Sequence, residues 1–223
     1  MQKTLFPYDE PRMGDVERAA IDVGHRWIIG VDEAGRGPLA GPVYAAAVLL
    51  DLHALDVDWI QALNDSKKLK EAKHDELFDE IQSHALGWSI AWREHDVIDE
   101  VNILEATKLS MKQAIEEVAT AHTEAIDCVY IDGKQYLDVA LPQTCVVKGD
   151  GRSYHIAAAS ILAKVARDRV MKAHHETWPE YDFAKHKGYG TKVHRAAIAT
   201  HGPCDIHRKT FGGVREYIER QNT

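Results

Sequence analysis

The 223-residue chain predicts a mixed α/β fold: one mixed β-sheet flanked by helices, with a helical C-terminal part. Three observations carry this. Short apolar runs suited to strands recur through the first two thirds of the chain. Amphipathic stretches at helical spacing lie between the later runs. Beyond Ser153 the pattern is helical throughout.

The elements follow in order. Residues 1–25 are polar and mixed, and read as a flexible N-terminal arm; residues 26–223 read as a single domain. "WIIGVD", "VYAAAVLL" and "GWSIAW" (Gly87 to Trp92) are expected strands of an antiparallel meander. Between the second and third, "KEAKHDELFDEIQSHA" sets Leu77, Phe78 and Ile81 on one helical face. "ILEATKLSMKQAIEEVATA" is a second amphipathic helix, with Leu109, Ile115 and Val118 expected near one face. "CVYIDG" and "TCVVKGD" are short buried strands, each followed by an acid and a glycine. "SYHIAAASILAKVARDRVMKAHHE" is a long helix whose Ala-rich first half is apolar nearly all round and should be buried. Helices are also expected near Lys192–Thr200 and Gly213–Arg220.

Bulk properties narrow the class. A 45% hydrophobic chain of this length can bury one substantial core. Cys128, Cys145 and Cys204 are odd in number and widely spaced, which disfavours a disulfide framework or zinc ribbon and fits a reducing cytoplasm. No signal peptide or membrane-spanning stretch is read, so a cytoplasmic location is expected. The net charge of −8 argues against a uniformly basic surface. Yet the cations gather in "DSKKLK", "KGDGR", "AKHKGYGTKVHR" and "IHRK", which allows a local basic groove. His174, His175, His201 and His207 show no metal-ligand spacing and read as surface or capping residues.

The chemistry-bearing signal is three acids at strand ends. Asp32 ends "IIGVD", Asp132 ends "CVYID", and Asp150 lies just past "TCVVK". Acids inside buried strands are costly, and several at a common edge repel unless cations lie between them; Mg²⁺ and Mn²⁺ prefer such oxygen ligands. Glu33 adjoins Asp32, but adjacent strand residues point to opposite faces, so both reach one site only if the strand ends or bulges there. Taken singly, each Asp before a Gly is commonly a turn residue. The recurrence is what favours a site.

The ordered blocks "GVDEAGRGPLAGPV", "NDSKKL", "NILEATKLSM", "YIDGK", "VKGDGRSYHIAAASILAKVARDR", "HKGYGT" and "IHRKTF" resemble the type 2 ribonucleases H, specifically bacterial ribonuclease HII, from about Trp27 to Phe211. The resemblance implies a ribonuclease H-like catalytic domain. Asp32, Glu33, Asp132 and Asp150 would form its four-carboxylate site for Mg²⁺ or Mn²⁺, two ions in all. It implies endonucleolytic hydrolysis of RNA in RNA–DNA hybrids, and cleavage 5′ to single ribonucleotides in duplex DNA, leaving 3′-hydroxyl and 5′-phosphate ends.

Gly35, Arg36 and Gly37 resemble the loop that reads the ribose 2′-hydroxyl through main-chain groups, the group that separates RNA from DNA. Without the resemblance, a Gly-Arg-Gly turn with Arg36 in solvent would be the simpler account. Tyr189 matches the tyrosine that packs on the following deoxyribose, and Lys67 and Lys148 match phosphate contacts. Arg152, Ser153, His186, Lys187 and Arg208 are further groove candidates, and Asp168 reads as an ion-pairing neighbour of the acids.

"QKTLF" (Gln2–Phe6) resembles the short peptide by which bacterial replication proteins hold the sliding clamp. No membrane partner and a monomeric state are expected. Two other functions fit parts of the pattern: a non-catalytic nucleic-acid adaptor, and a metal-dependent phosphoryl-transfer enzyme indifferent to the 2′-hydroxyl.

Overall fold

The structure, a computed structural model, describes residues 12–63 and 70–221. Gln2–Phe6 and Lys67 lie outside the described residues. The chain runs α1 (Asp15–Asp22), β1 (Ile28–Ala34), β2 (Val43–Leu49), α2 (Asp58–Ala62), α3 (Glu71–His84), β3 (Gly87–Arg93), α4 (His95–Val101) and α5 (Ile103–Ala121). It continues through β4 (Cys128–Asp132), β5 (Gln143–Val146), α6 (Tyr154–Thr177), α7 (Phe183–His186), α8 (Lys192–His201) and α9 (Arg215–Gln221). The expected strands all form. The order in the sheet is β3-β2-β1-β4-β5. β1, β2 and β3 pair antiparallel, whereas β4 and β5 run parallel to β1. The β4–β5 connection has no helix, unlike the helix-joined arrangement expected for the later strands.

Alternation along β2 shows why the sheet needs two helical layers. Tyr44, Ala46 and Val48 face a cluster built by α3 and α6, and Ala45, Ala47 and Leu49 face one built by α5. The small side chains let both layers come close. Gly30 in β1 is the extreme case: a Cβ there would lie 2.4 Å from the main chain of His155, so only glycine lets α6 cross the strand at this point. The Ala-rich half of α6 is buried, as expected.

Two expectations need correction. Residues 12–25 are not simply loose: α1 buries Val16 and Ala20, and its Glu17 accepts hydrogen bonds from Ser153 Oγ (2.7 Å) and the main-chain amide of His155 (3.4 Å) at the start of α6, with its carboxylate also 2.9 Å from His155 Nδ1. On α5 the buried face is Ala106, Ser110, Met111, Ala114, Ile115 and Val118, while Leu109 is exposed. Small residues on the inward face left the hydrophobic pattern ambiguous there.

The C-terminal helices close over the loop after β1. Leu39 and Ala40 of that loop pack with Met171, Tyr181, Phe183, Ile198, Ile206 and Val214. Ala40 also forms an antiparallel bridge to His207.

Candidate active site

The strands place the acids at a fork. β1 pairs with β4 only as far as Val31, opposite Ile131. Its pairing with β2 continues through Asp32 and Glu33 to Ala34. The strand therefore does not stop at Asp32; it parts from β4 there, and Asp132 on β4 goes on pairing with Val146 of β5. Asp132 accepts a 2.6 Å hydrogen bond from the Gly149 amide. That bond seats the 3₁₀ turn Gly149–Gly151, which carries Asp150 beside the same strand ends.

Three of the four acids act on one another electrostatically. Burial pushes the Asp32 carboxyl well above the usual carboxylate range, and the charges of Asp132 and Glu33 push the same way. Hydrogen bonds from Ser160 and from the Glu33 amide (2.7 Å) oppose this only in part. Glu33 is raised too, first by burial, although Arg36 Nη1 donates to it at 3.2 Å and pulls it down. The chain itself thus disfavours full ionisation of the cluster. Among the described residues, no group of three His, Cys, Asp or Glu side chains is arranged as a ready metal cluster. The donor set is all carboxylate, partly buried and electrostatically strained. That set fits a hard divalent cation that completes its shell with water and phosphate oxygens.

Glu33 opens onto a cleft of about 450 Å³. Gly35, Arg36 and Gly37 form one wall, and Ser160, Lys164 and Asp168 of α6 form another. Lys187 and Tyr189 stand across from them. Asp168 accepts a 2.7 Å hydrogen bond from Lys164, which agrees with an ion-pairing role. Tyr189 is half exposed, and its ring would lie 3.6 Å from a Cβ on Gly37, so the ring and the loop face each other. Lys148 is exposed beside the 3₁₀ turn and does not line this cleft.

Other candidates are placed elsewhere. Ser153 is the buried N-cap of α6. Arg152 ends the 3₁₀ turn that carries Asp150 and lies 3.9 Å from Asp15, and His186 Nε2 lies 2.6 Å from the Tyr181 carbonyl. Arg208 is fully buried beneath the loop rather than in the groove. His207 is not a surface residue: it is buried, with Nε2 3.0 Å from Nε2 of His194. Burial moves both histidines down to about 4, so they are neutral at physiological pH. Ser160 and Lys164 were missed by sequence reasoning. Their signal was present: Ser160, Lys164, Asp168 and Lys172 recur every four residues, a polar stripe that begins within the Ala-rich, apolar half of the helix.

A sequence model of the family described as Ribonuclease HII matches residues 29–214. The chain is 48% identical over 197 residues to ribonuclease HII of Caldicellulosiruptor saccharolyticus, covering 88% of this chain and 92% of that one. It is 47% identical to ribonuclease HII of Geobacter sulfurreducens, covering 98% and 97%. The fold is similar to the ribonuclease H2 crystal structure from Pyrococcus horikoshii, with a TM-score of 0.72 at 22% identity, covering 88% of this chain and 99% of that one. It is also similar to Bst-RNase HIII in complex with Mn²⁺ (TM-score 0.70, 17% identity, 90% and 72% covered). A third similar structure is the RNase HII of the PCNA:RNase HII complex from Archaeoglobus fulgidus (0.66, 24%, 83% and 95%).

Proposed function

The chain belongs to the ribonuclease HII family, an RNA–DNA hybrid endonuclease family, and from that premise we propose that it cuts 5′ to single ribonucleotides in duplex DNA as well as within hybrids. The observation that carries the finer reading is the convergence of Asp32, Glu33 and Asp132 at the β1–β4 fork, one turn of chain from the outward-facing Gly35–Gly37 loop.

Asp32, Glu33, Asp132 and Asp150 would hold Mg²⁺ or Mn²⁺, and the Mn²⁺ complex of the RNase HIII neighbour supports that choice. Bound there, a pair of such ions would supply charge neutralisation for phosphodiester hydrolysis. The rest is the work of this chain. Ser160 and the Glu33 amide hold the Asp32 carboxylate in place. Arg36, Lys164 and Lys187 put positive charge along the cleft, where a phosphate backbone can lie. The amides of the Gly35–Gly37 loop read the 2′-hydroxyl, and the Tyr189 ring packs on the next, 2′-unsubstituted sugar. Water adds to phosphorus and the bond to the preceding O3′ breaks, leaving a 3′-hydroxyl upstream and a 5′-phosphate on the ribonucleotide.

The protein is proposed to act as a cytoplasmic monomer, with Lys67 and Lys148 as further phosphate contacts. Gln2–Phe6 is proposed to hold a sliding clamp, a reading supported by the PCNA complex of the archaeal neighbour.

The test is an end-labelled DNA duplex with one ribonucleotide, beside an all-DNA control, in Mg²⁺, Mn²⁺ or EDTA. The expected result is a metal-dependent cut 5′ to the ribonucleotide and none in the control. Equal cutting of both duplexes would sink the 2′-hydroxyl reading and favour a nuclease indifferent to the sugar. Binding without cutting in either metal would favour the adaptor.

A further inference from the structure

Beneath the loop after β1 lies a buried guanidinium that the mechanism above does not use. Arg208 is fully buried, and all its donors point at main-chain carbonyls of one segment. Nε donates to Gly41 (2.9 Å) and Nη1 to Arg36 (3.0 Å) and Pro38 (2.9 Å). Nη2 donates to Gly35 (2.6 Å) and Pro42 (3.2 Å). Arg167, also buried, donates to Pro42 (3.0 Å) and Ala40 (3.3 Å) from α6. Among the described residues, neither arginine forms an ion pair.

Peptide geometry converts this into a statement about donors. In a trans peptide the carbonyl of one residue and the amide of the next point in opposite directions. Arg208 holds the carbonyls of Gly35, Arg36 and Pro38 inward, so the amides of Arg36, Gly37 and Leu39 must point away from it. The Leu39 amide is consumed by the Gly188 carbonyl at 2.8 Å. Those of Arg36 and Gly37 have no acceptor among the described residues, and both residues are exposed at the cleft wall. From this geometry we infer that Arg208 is a positioning residue for sugar specificity: its fork of inward carbonyl bonds aims the Arg36 and Gly37 amides at the ribose. The inference rests on the 2′-hydroxyl reading proposed for this loop.

A lysine cannot reproduce the fork, because it offers a single nitrogen in place of a planar five-donor group. Arg208→Lys should therefore release the loop peptides while keeping the charge. Arg220→Lys is the control, since Arg220 bonds only the Glu216 carbonyl within α9 and does not line the cleft. Two readouts are needed. One is the backbone amide NMR signals of Arg36 and Gly37. The other is the ratio of kcat/KM on a duplex with one ribonucleotide to kcat/KM on its all-DNA counterpart at high enzyme concentration.

The expected result is that Arg208→Lys shifts or broadens both amide signals and lowers the ratio about 100-fold, as a misplacement near 1 Å would. Arg220→Lys should leave the ratio within a few-fold. If Arg208→Lys does not fold, Asp99→Asn takes its place. Asp99 accepts from the amides of Lys209 (2.7 Å) and Thr210 (2.9 Å), so it seats Arg208 from α4, and its loss loosens the same guanidinium more gently.

Unmoved amide signals in a folded variant would overturn the inference. So would moved signals with an unchanged ratio. A wild-type enzyme that ignores the 2′-hydroxyl would instead overturn the reading of the loop, and the amide signals would still decide whether Arg208 places it.

Discussion

Two clusters of buried charge lie within a few residues of each other, and the chain treats them in opposite ways. Asp32 is 6% exposed, and its acidic neighbours make its ionisation harder. Arg208 is 0% exposed, and its positive charge is met by five carbonyl oxygens. A buried charge that the chain satisfies is architecture. A buried charge that the chain leaves in conflict is a place where something else is meant to bind. The contrast separates a site from its scaffold without reference to any ligand.

The sharpest way to break this contrast is to delete one charge from each cluster. Asp32→Asn removes a source of repulsion as well as a proposed ligand. Cleavage should fall on the order of 1,000-fold, as for loss of a principal transition-state contact. The ligand-free protein should nevertheless become more stable, by about 1 kcal/mol, the usual trade at a strained functional site. Arg208→Ala should do the reverse to stability, costing about 3 kcal/mol or more by stranding the loop carbonyls. Urea unfolding of both variants without metal checks the signs. Destabilisation by Asp32→Asn would mean that the acid is architecture too.

Metal and pH sharpen the same point. Burial and the charge of Asp132 raise the carboxyls of both Asp32 and Glu33, and Glu33 raises Asp32 further. Their protonated forms stabilise the fold, and that contribution is lost as pH rises through the raised range. A cation favours the ionised forms, so its affinity should rise with pH as protons are released. At one hundred times its Kd, the ion should add about 2.7 kcal/mol, or roughly 5–10 °C in Tm. Thermal melts with and without Mn²⁺ should show this gain growing from about pH 5 to about pH 8. A gain independent of pH would place the ion elsewhere.

Much of this was legible in the sequence, and the gaps have physical causes. The strands were readable because β1, β2 and β4 are apolar runs punctuated by acids and glycines. Asp32, Asp132 and Asp150 stood out because an acid at the end of a buried strand is costly, whereas Glu33 entered only through the family resemblance. The fork was not: where β1 parts from β4 depends on register, which no local pattern encodes. Leu109 misled because α5 turns small residues inward. Arg208 looked like a groove residue because a guanidinium usually is one; only the long-range carbonyl set shows it buried. α1 was hidden because its core contacts, Val16 and Ala20, are few and its inward Glu17 looks like a surface charge until it meets His155.

The smallest effect concerns Tyr189, which belongs to neither cluster. Its ring is half exposed, with Arg167 5.9 Å from the ring centroid and Gly37 opposite. Nothing in the core depends on it, so Tyr189→Ala should change stability by less than about 0.5 kcal/mol. A ring packed on a sugar contributes on the scale of aromatic stacking in nucleic-acid binding, about 1–3 kcal/mol per contact. The low end of that range applies to an open cleft, so cleavage at a single ribonucleotide should fall about tenfold. Tyr189→Phe keeps the ring and should keep most of the rate. Single-turnover cleavage of the one-ribonucleotide duplex distinguishes the two. If Phe loses as much as Ala, the hydroxyl is the working group, and Tyr189 recognises substrate by a hydrogen bond rather than by its flat face.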